Sequence, residues 1–197
     1  MKKLALFDFD GTITTKDTFV EFIKYNESTF RFWFGFLLLS PFIIGFKLKL
    51  FPNWRAKELV ITYFFKNTPL PDFKAMCTAF YKNKLNELVR PKAIDEIKKH
   101  LHEETIVSLV SASPELWIED WAKEMGIKLI GTKLEVKDNK ITGKIAGKNC
   151  YGPEKEVRVK AIYNLSDYDQ IFAYGDSSGD KELLALAHKK HYKPFRN

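Results

Sequence analysis

Two cysteines, three methionines and four histidines are all that 197 residues contain of these types, and each scarcity removes a class of chemistry. Cys77 and Cys150 cannot build a disulfide framework and form no Cys-x-x-Cys pair, so both are expected as reduced thiols. His100, His102, His188 and His191 match no His-Glu-x-x-His or zinc-ligand spacing and are expected at the surface. Nor does the start resemble a signal peptide: Lys2 and Lys3 precede only a short apolar run that ends in aspartates, so the chain is expected on the cytoplasmic side. No repeat or low-complexity linker divides the sequence. The net charge of +7 makes nucleic acid a nominal partner, yet no basic face with interleaved aromatics is evident, so no specific nucleic acid is expected. What is present is 45% hydrophobic content, enough for one substantial core with one inserted subdomain.

The chemistry is concentrated at strand ends. Leu4-Ala5-Leu6-Phe7 is an apolar strand that leads into Asp8-Phe9-Asp10-Gly11-Thr12. Residues two apart on a strand point the same way, so Asp8 and Asp10 project together beyond its C-terminal end, where parallel α/β sheets place ligands. Two carboxylates so close repel unless a cation intervenes, and hard oxygen ligands suit Mg²⁺, which also binds substrate phosphate. Gln170–Gly175 repeats the pattern, with Asp176 and Asp180 on a glycine-rich loop and Asp176 a candidate third ligand. Between them, Thr105–Ser111 is a β-branched strand that breaks at small hydroxyl residues, with Ser113 expected as a helix N-cap and Pro114 as the first helical residue. Ser111 then lies near a helix N-terminus, where hydroxyl and N–H groups hold phosphate oxygens. Lys155 opens the next helix and offers a positive charge to the same anion, with Lys160 as the competing lysine.

These four pieces resemble, in order, the motifs of the haloacid dehalogenase-like phosphatase superfamily. The resemblance implies an aspartyl-phosphate mechanism with Asp8 as nucleophile and Asp10 as general acid and then base. It implies that Ser111 and Lys155, with Gly11 and Thr12, bind the phosphoryl group. It further implies Mg²⁺ held by Asp8, the Asp10 backbone carbonyl and Asp176, with Asp180 in support. An aspartate at position 10 favours a phosphatase over a dehalogenase or an ion-pumping ATPase, because an alkoxide leaving group gains from protonation by on the order of 10²–10⁴-fold. The segments Gly131–Val136, Thr142-Gly143 and Asn149–Gly152 are similar to the phosphoserine phosphatase-like branch, subfamily IB.

The expected fold class is α/β: a Rossmann-like parallel sheet core with an inserted helical cap subdomain and a β-hairpin. Residues 1–14 and 90–197 would form the core and 15–89 the cap. Strand and helix alternate from about residue 91. Pro91 opens a helix with Ile94, Ile97 and Leu101 on one face; Trp117, Trp121 and Met125 form a core stripe on another. Lys133–Gly147 alternates and turns at Asp138-Asn139, which predicts the hairpin. Asp17, just past the catalytic loop, either contacts substrate or starts a helix.

Within the expected cap, the uncharged run from Phe32 to Phe46 lies between Arg31 and Lys47 with Lys49. It falls short of the roughly 18 to 20 residues that span a bilayer, and Pro41 is expected to break it into a helical hairpin. Such a surface meets either an anionic membrane, which would place the chain peripherally on its inner face, or a cap–core or dimer interface. The run and the following Phe51–Lys57 are similar to the cap of the phosphatidylglycerophosphatase C type. That likeness implies a phosphate monoester on a lipid headgroup, with Arg55 or Lys57 at the anion; a small soluble ester such as phosphoserine is the other reading. Gly175-Asp176-Ser177-Ser178-Gly179 also fits a serine-hydrolase elbow, which would make Ser177 a nucleophile with Asp180 and His188 or His191 as partners.

Overall fold

The computed structural model describes residues 1–48 and 52–196. Strand β1 (Lys3–Phe7) is followed by the helices α1 (Thr18–Asn26), α2 (Thr29–Lys47), α3 (Asn53–Phe65) and α4 (Leu70–Phe80), a π-helical stretch Tyr81–Leu85 and the single turn α5 (Asn86–Leu88). Alternation resumes with α6 (Pro91–His102), β2 (Ile106–Pro114), α7 (Glu119–Glu124), β3 (Lys128–Thr132) and a hairpin of β4 (Leu134–Lys137) and β5 (Lys140–Ile145). The chain closes with α8 (Pro153–Ile162), β6 (Gln170–Gly175), α9 (Lys181–Ala185) and β7 (Lys189–Tyr192).

Five parallel strands form one sheet in the order β3-β2-β1-β6-β7. The central strand shows why it is buried on both faces: Ala5 and Phe7 enter one hydrophobic cluster, Leu4 and Leu6 the other. On the first side lie Ala93 and Ile97 of α6, Trp121 of α7 and the inserted helices; on the second lie Val159 of α8 and Leu183 of α9. Strand order reverses at β1, and the register Phe7↔Tyr174 carries Asp8 level with the end of β6. The crevice at such a reversal is where open α/β sheets bind ligands.

Two backbone attachments fix the inserted helices. At their entry and exit, Thr14 bridges Val89 antiparallel, the Arg90 N–H donates to Ile13 and the Thr15 N–H donates to Leu88. Farther along, the segment before α4 pairs with the hairpin: the Asn67 N–H donates to Ile141, the Ile141 N–H to Thr68 and the Leu70 N–H to Asn139. The hairpin turns through Asp138 and Asn139 at φ 48° and 57°, the left-handed pair that a two-residue turn requires.

Several sequence expectations are corrected. Pro41 does not break the apolar run, because α2 continues through it. Proline leaves the Leu37 carbonyl without its helical donor, and the Ser40 hydroxyl supplies one at 2.7 Å. Ser113 and Pro114 do not start a helix: β2 runs to Pro114, which pairs with Thr132, and a 3₁₀ turn follows at Glu115–Trp117. His100 is buried rather than exposed, with Nε2 2.9 Å from the Tyr174 hydroxyl, and it takes the inward place on α6 expected for Leu101. Lys49 and Phe51 lie outside the described residues. No helix among the described residues is long and apolar enough to cross a membrane.

Candidate active site

The end of β1 delivers Asp8 into a buried ion-pair network. Its Oδ1 accepts from Lys155 Nζ at 2.5 Å and its Oδ2 from the Thr12 hydroxyl at 2.8 Å. Lys155 is buried at the start of α8 and also donates to Asp180 Oδ1 at 2.6 Å. Lys160, the competing lysine, is exposed and paired with Glu156. Burial alone would strip Lys155 of its charge, but the Asp8 and Asp180 carboxylates hold it protonated, with its pKa raised. For Asp8 the balance falls the other way: burial outweighs Lys155 and lifts the carboxyl to about 7.

Asp10 is fixed from two elements. Its Oδ1 accepts from the Thr18 N–H at 2.7 Å and the Thr18 hydroxyl at 2.5 Å, at the first turn of α1. Its Oδ2 accepts from the Ser113 hydroxyl at 2.6 Å and lies 3.4 Å from that of Ser111. Both carboxylate oxygens of Asp10 therefore have donors, and Thr18 and Ser113 are site residues that the sequence reading did not assign. The signal for Ser113 was its two-residue spacing from Ser111 on β2; Thr18 had none beyond its place after the loop. Gly11 and Thr12, expected at the phosphate, lie on the loop that carries Asp8 and Asp10. The Gly11 N–H donates to Thr14 Oγ1, and the Thr12 hydroxyl orients Asp8. Gly11 is required where it stands, since a Cβ at its φ of +81° would lie 2.5 Å from Asp176 Oδ2.

Asp8, Asp176 and Asp180 bring carboxylate oxygens within 4.8 Å of one another. An all-oxygen, triply acidic set fits a hard divalent cation such as Mg²⁺. Burial and the neighbouring Asp180 raise the Asp176 pKa against the pull of Arg196 and Lys155. Arg196 Nη2 contacts Asp176 Oδ2 at 2.5 Å from the outside. Asp180 is held differently: its Oδ2 accepts from the Asp176 and Ser177 N–H groups and from the Ser177 hydroxyl. Burial raises its pKa, but Lys155 and these donors outweigh that and leave it lowered.

Above these groups opens a 610 Å³ cavity, with Asp8, Asp10, Lys155 and Asp176 at one end and Val20, Phe36, Ile43 and Val60 of α1, α2 and α3 along the wall. Asp17 and Lys57 also line it. Asp17 caps α1 through the Phe19 N–H at 2.8 Å, and burial with the nearby Asp10 charge lifts its carboxyl to about 6. Lys57 reaches from α3 to the Ala112 carbonyl at 2.7 Å and to Asn149 Oδ1 at 3.3 Å, which the Thr132 hydroxyl also approaches at 3.0 Å. Burial depresses its pKa to about 8 against the pull of Asp10 and Asp17. Arg55 stays exposed and stacks on Trp54, away from the cavity. The Ser177 hydroxyl, the elbow candidate, forms a capping box with Asp180. Neither histidine joins it, since His188 Nδ1 accepts from the Ile171 N–H and His191 stacks on Tyr174.

Comparison with known proteins agrees with this geometry. The profile of the haloacid dehalogenase-like hydrolases matches residues 5–185. Protein CicA of Caulobacter vibrioides (strain NA1000 / CB15N) is 34% identical over 195 residues, which span 98% of this chain and 86% of that protein. Among solved structures, a protein of unknown function from Bordetella pertussis Tohama I has a TM-score of 0.82 at 21% identity, with 95% of this chain and 87% of that one covered. A substrate-bound phosphoserine phosphatase has a TM-score of 0.70 at 17% identity, with 98% and 86% covered. With the profile spanning nearly the whole of both layers and the acidic strand ends in register, the chain belongs to the haloacid dehalogenase-like hydrolases.

Proposed function

We propose that this chain is a Mg²⁺-dependent phosphatase that hydrolyses a phosphate monoester through an aspartyl phosphate on Asp8. The observation that carries the reading is the pair of aspartates with different surroundings. Asp8 lies against Lys155 at the buried end of the cavity, and Asp10 is clamped by Thr18 and Ser113. A bond forms from the Asp8 carboxylate to phosphorus as the ester P–O bond breaks, and Asp10 gives its proton to the departing alkoxide. Asp10 then takes a proton from the water that attacks the phosphoenzyme, releasing inorganic phosphate and freeing Asp8. Lys155 and Ser111 hold the phosphoryl oxygens throughout. Mg²⁺, held by Asp8, Asp176 and the Asp10 carbonyl with Asp180 behind them, would supply charge neutralisation and polarise the phosphoryl group.

Residues 15–89 act as the cap over a core of 1–14 and 90–197, excluding water while the phosphoenzyme forms. The apolar wall of Val20, Phe36, Ile43 and Val60 favours an ester with an apolar portion, such as the phosphorylated headgroup of a phospholipid on the cytoplasmic face. The opposite charges of Asp17 and Lys57 support a second reading, a small zwitterionic ester such as phosphoserine. The test is Mg²⁺-dependent phosphate release from phosphatidylglycerophosphate in mixed micelles, with phosphoserine in parallel. Asp8→Asn should reduce release by at least about 10³-fold with the fold intact. Activity that survives this substitution would overturn the aspartyl-phosphate mechanism.

A further inference from the structure

Helix α2 has two apolar faces and only one of them is covered. Its inward face packs on α3, where a Cβ on Gly35 would lie 2.5 Å from the Tyr63 ring, and it presents Phe36 and Ile43 to the catalytic cavity. Its outward face carries Phe30, Trp33, Phe34, Leu37, Leu38 and Ile44, with Phe30, Trp33 and Leu37 exposed at 79%, 65% and 71%. Their spacing of three and four residues makes a continuous stripe about half the circumference wide. A helix that is apolar all round is ordinarily buried, and water is not a stable neighbour for such a stripe.

Charge selects what covers it. From Ser28 to Lys57 the sequence has no aspartate or glutamate; Arg31 is paired with Glu27 and Lys57 lines the cavity, and the basic residues that flank the stripe in sequence are Lys47, Lys49 and Arg55. A second copy of the chain would bring like charges together across the stripe, whereas an anionic bilayer offers both an apolar interior and negative headgroups. Trp33 and the Trp54–Arg55 stack, at 5.2 Å, are suited to the headgroup boundary, where aromatic rings with a polar or charged edge settle. We infer that the outward face of α2 is a docking surface for an anionic membrane, on which the helix lies in the interfacial plane. This deepens the lipid-phosphate reading, because the opposite face of the same helix lines the cavity, but the docking surface stands whether or not the substrate is a lipid.

The experiment is flotation of the full chain with phosphatidylcholine vesicles containing phosphatidylglycerol, beside pure phosphatidylcholine vesicles and a high-salt series. The variant Leu37→Glu with Leu38→Glu alters only the exposed stripe. Wild type should float with the anionic vesicles and lose binding as salt rises; the variant should partition at least about tenfold less. Hydrolysis of p-nitrophenyl phosphate by the variant should equal that of wild type, and circular dichroism checks its fold independently of activity. Absence of wild-type flotation, or equal flotation of the variant, overturns the inference. A wild-type dimer that the variant converts to a monomer overturns it in favour of self-association. Loss of hydrolysis in both proteins with flotation retained would defeat the phosphatase reading alone.

Discussion

At the scale of single residues, the site is a set of carboxylates whose behaviour is decided by their donors. Asp10 has four donor contacts from Thr18, Ser111 and Ser113, so Ser113→Ala should loosen its Oδ2 while Thr18 still holds Oδ1. The expected result is a fall in kcat of about tenfold with KM little changed, the pattern of a positioning residue. Lys57 makes a different prediction. Burial has lowered its pKa to about 8, so the ammonium is present below that pH and is lost as pH rises through it. KM for a phosphate ester should therefore climb above pH 8 while kcat changes less. Lys57→Arg, charged far beyond that range, should remove the climb from a KM–pH profile.

Among the elements, the legibility of the sequence follows the range of the interaction. The strand-end carboxylates, the hairpin turn at Asp138-Asn139 and the core tryptophans could all be read because periodicity and turn chemistry are local. Pro41 was misleading because its rescue depends on a neighbouring side chain reaching one particular carbonyl, and propensity does not record this. His100 and the Lys57–Asn149 contact depend on residues 74 and 92 positions away, across which no pattern carries. The hairpin offers a test of such long-range fit. Gly143 has φ +90°, and a Cβ there would lie 2.6 Å from the Thr62 backbone of α3. Gly143→Ala should cost about 2–3 kcal/mol in urea unfolding, more than an exposed turn glycine would.

For the whole molecule, the buried acidic cluster links stability to pH and to cations. Burial raises Asp8 from 3.8 to about 7, so between those values the folded chain keeps a proton that the unfolded chain has released. That contribution is complete below pH 3.8 and is lost as pH rises through about 7, with the Lys155 pair opposing but not cancelling it. In chelator, Asp8→Asn should flatten this part of a Tm–pH profile. Millimolar Mg²⁺ should raise the Tm of wild type at pH 8 by a few degrees, since a ligand that binds only the folded state stabilises it, and should raise that of Asp8→Asn less.

The double fastening of the inserted helices bears on how such an enzyme completes a cycle. One seam joins Thr14 to Val89; the other joins the segment before α4 to Ile141. The cavity draws its lining from both bodies, with Phe36 of α2 in its wall, and Asp10 is held from the insertion by Thr18 and from the core by Ser113. The insertion is set like a panel in a frame, fastened at two edges rather than hung from one, so any movement that opens the cavity has to be taken up within it or at a seam.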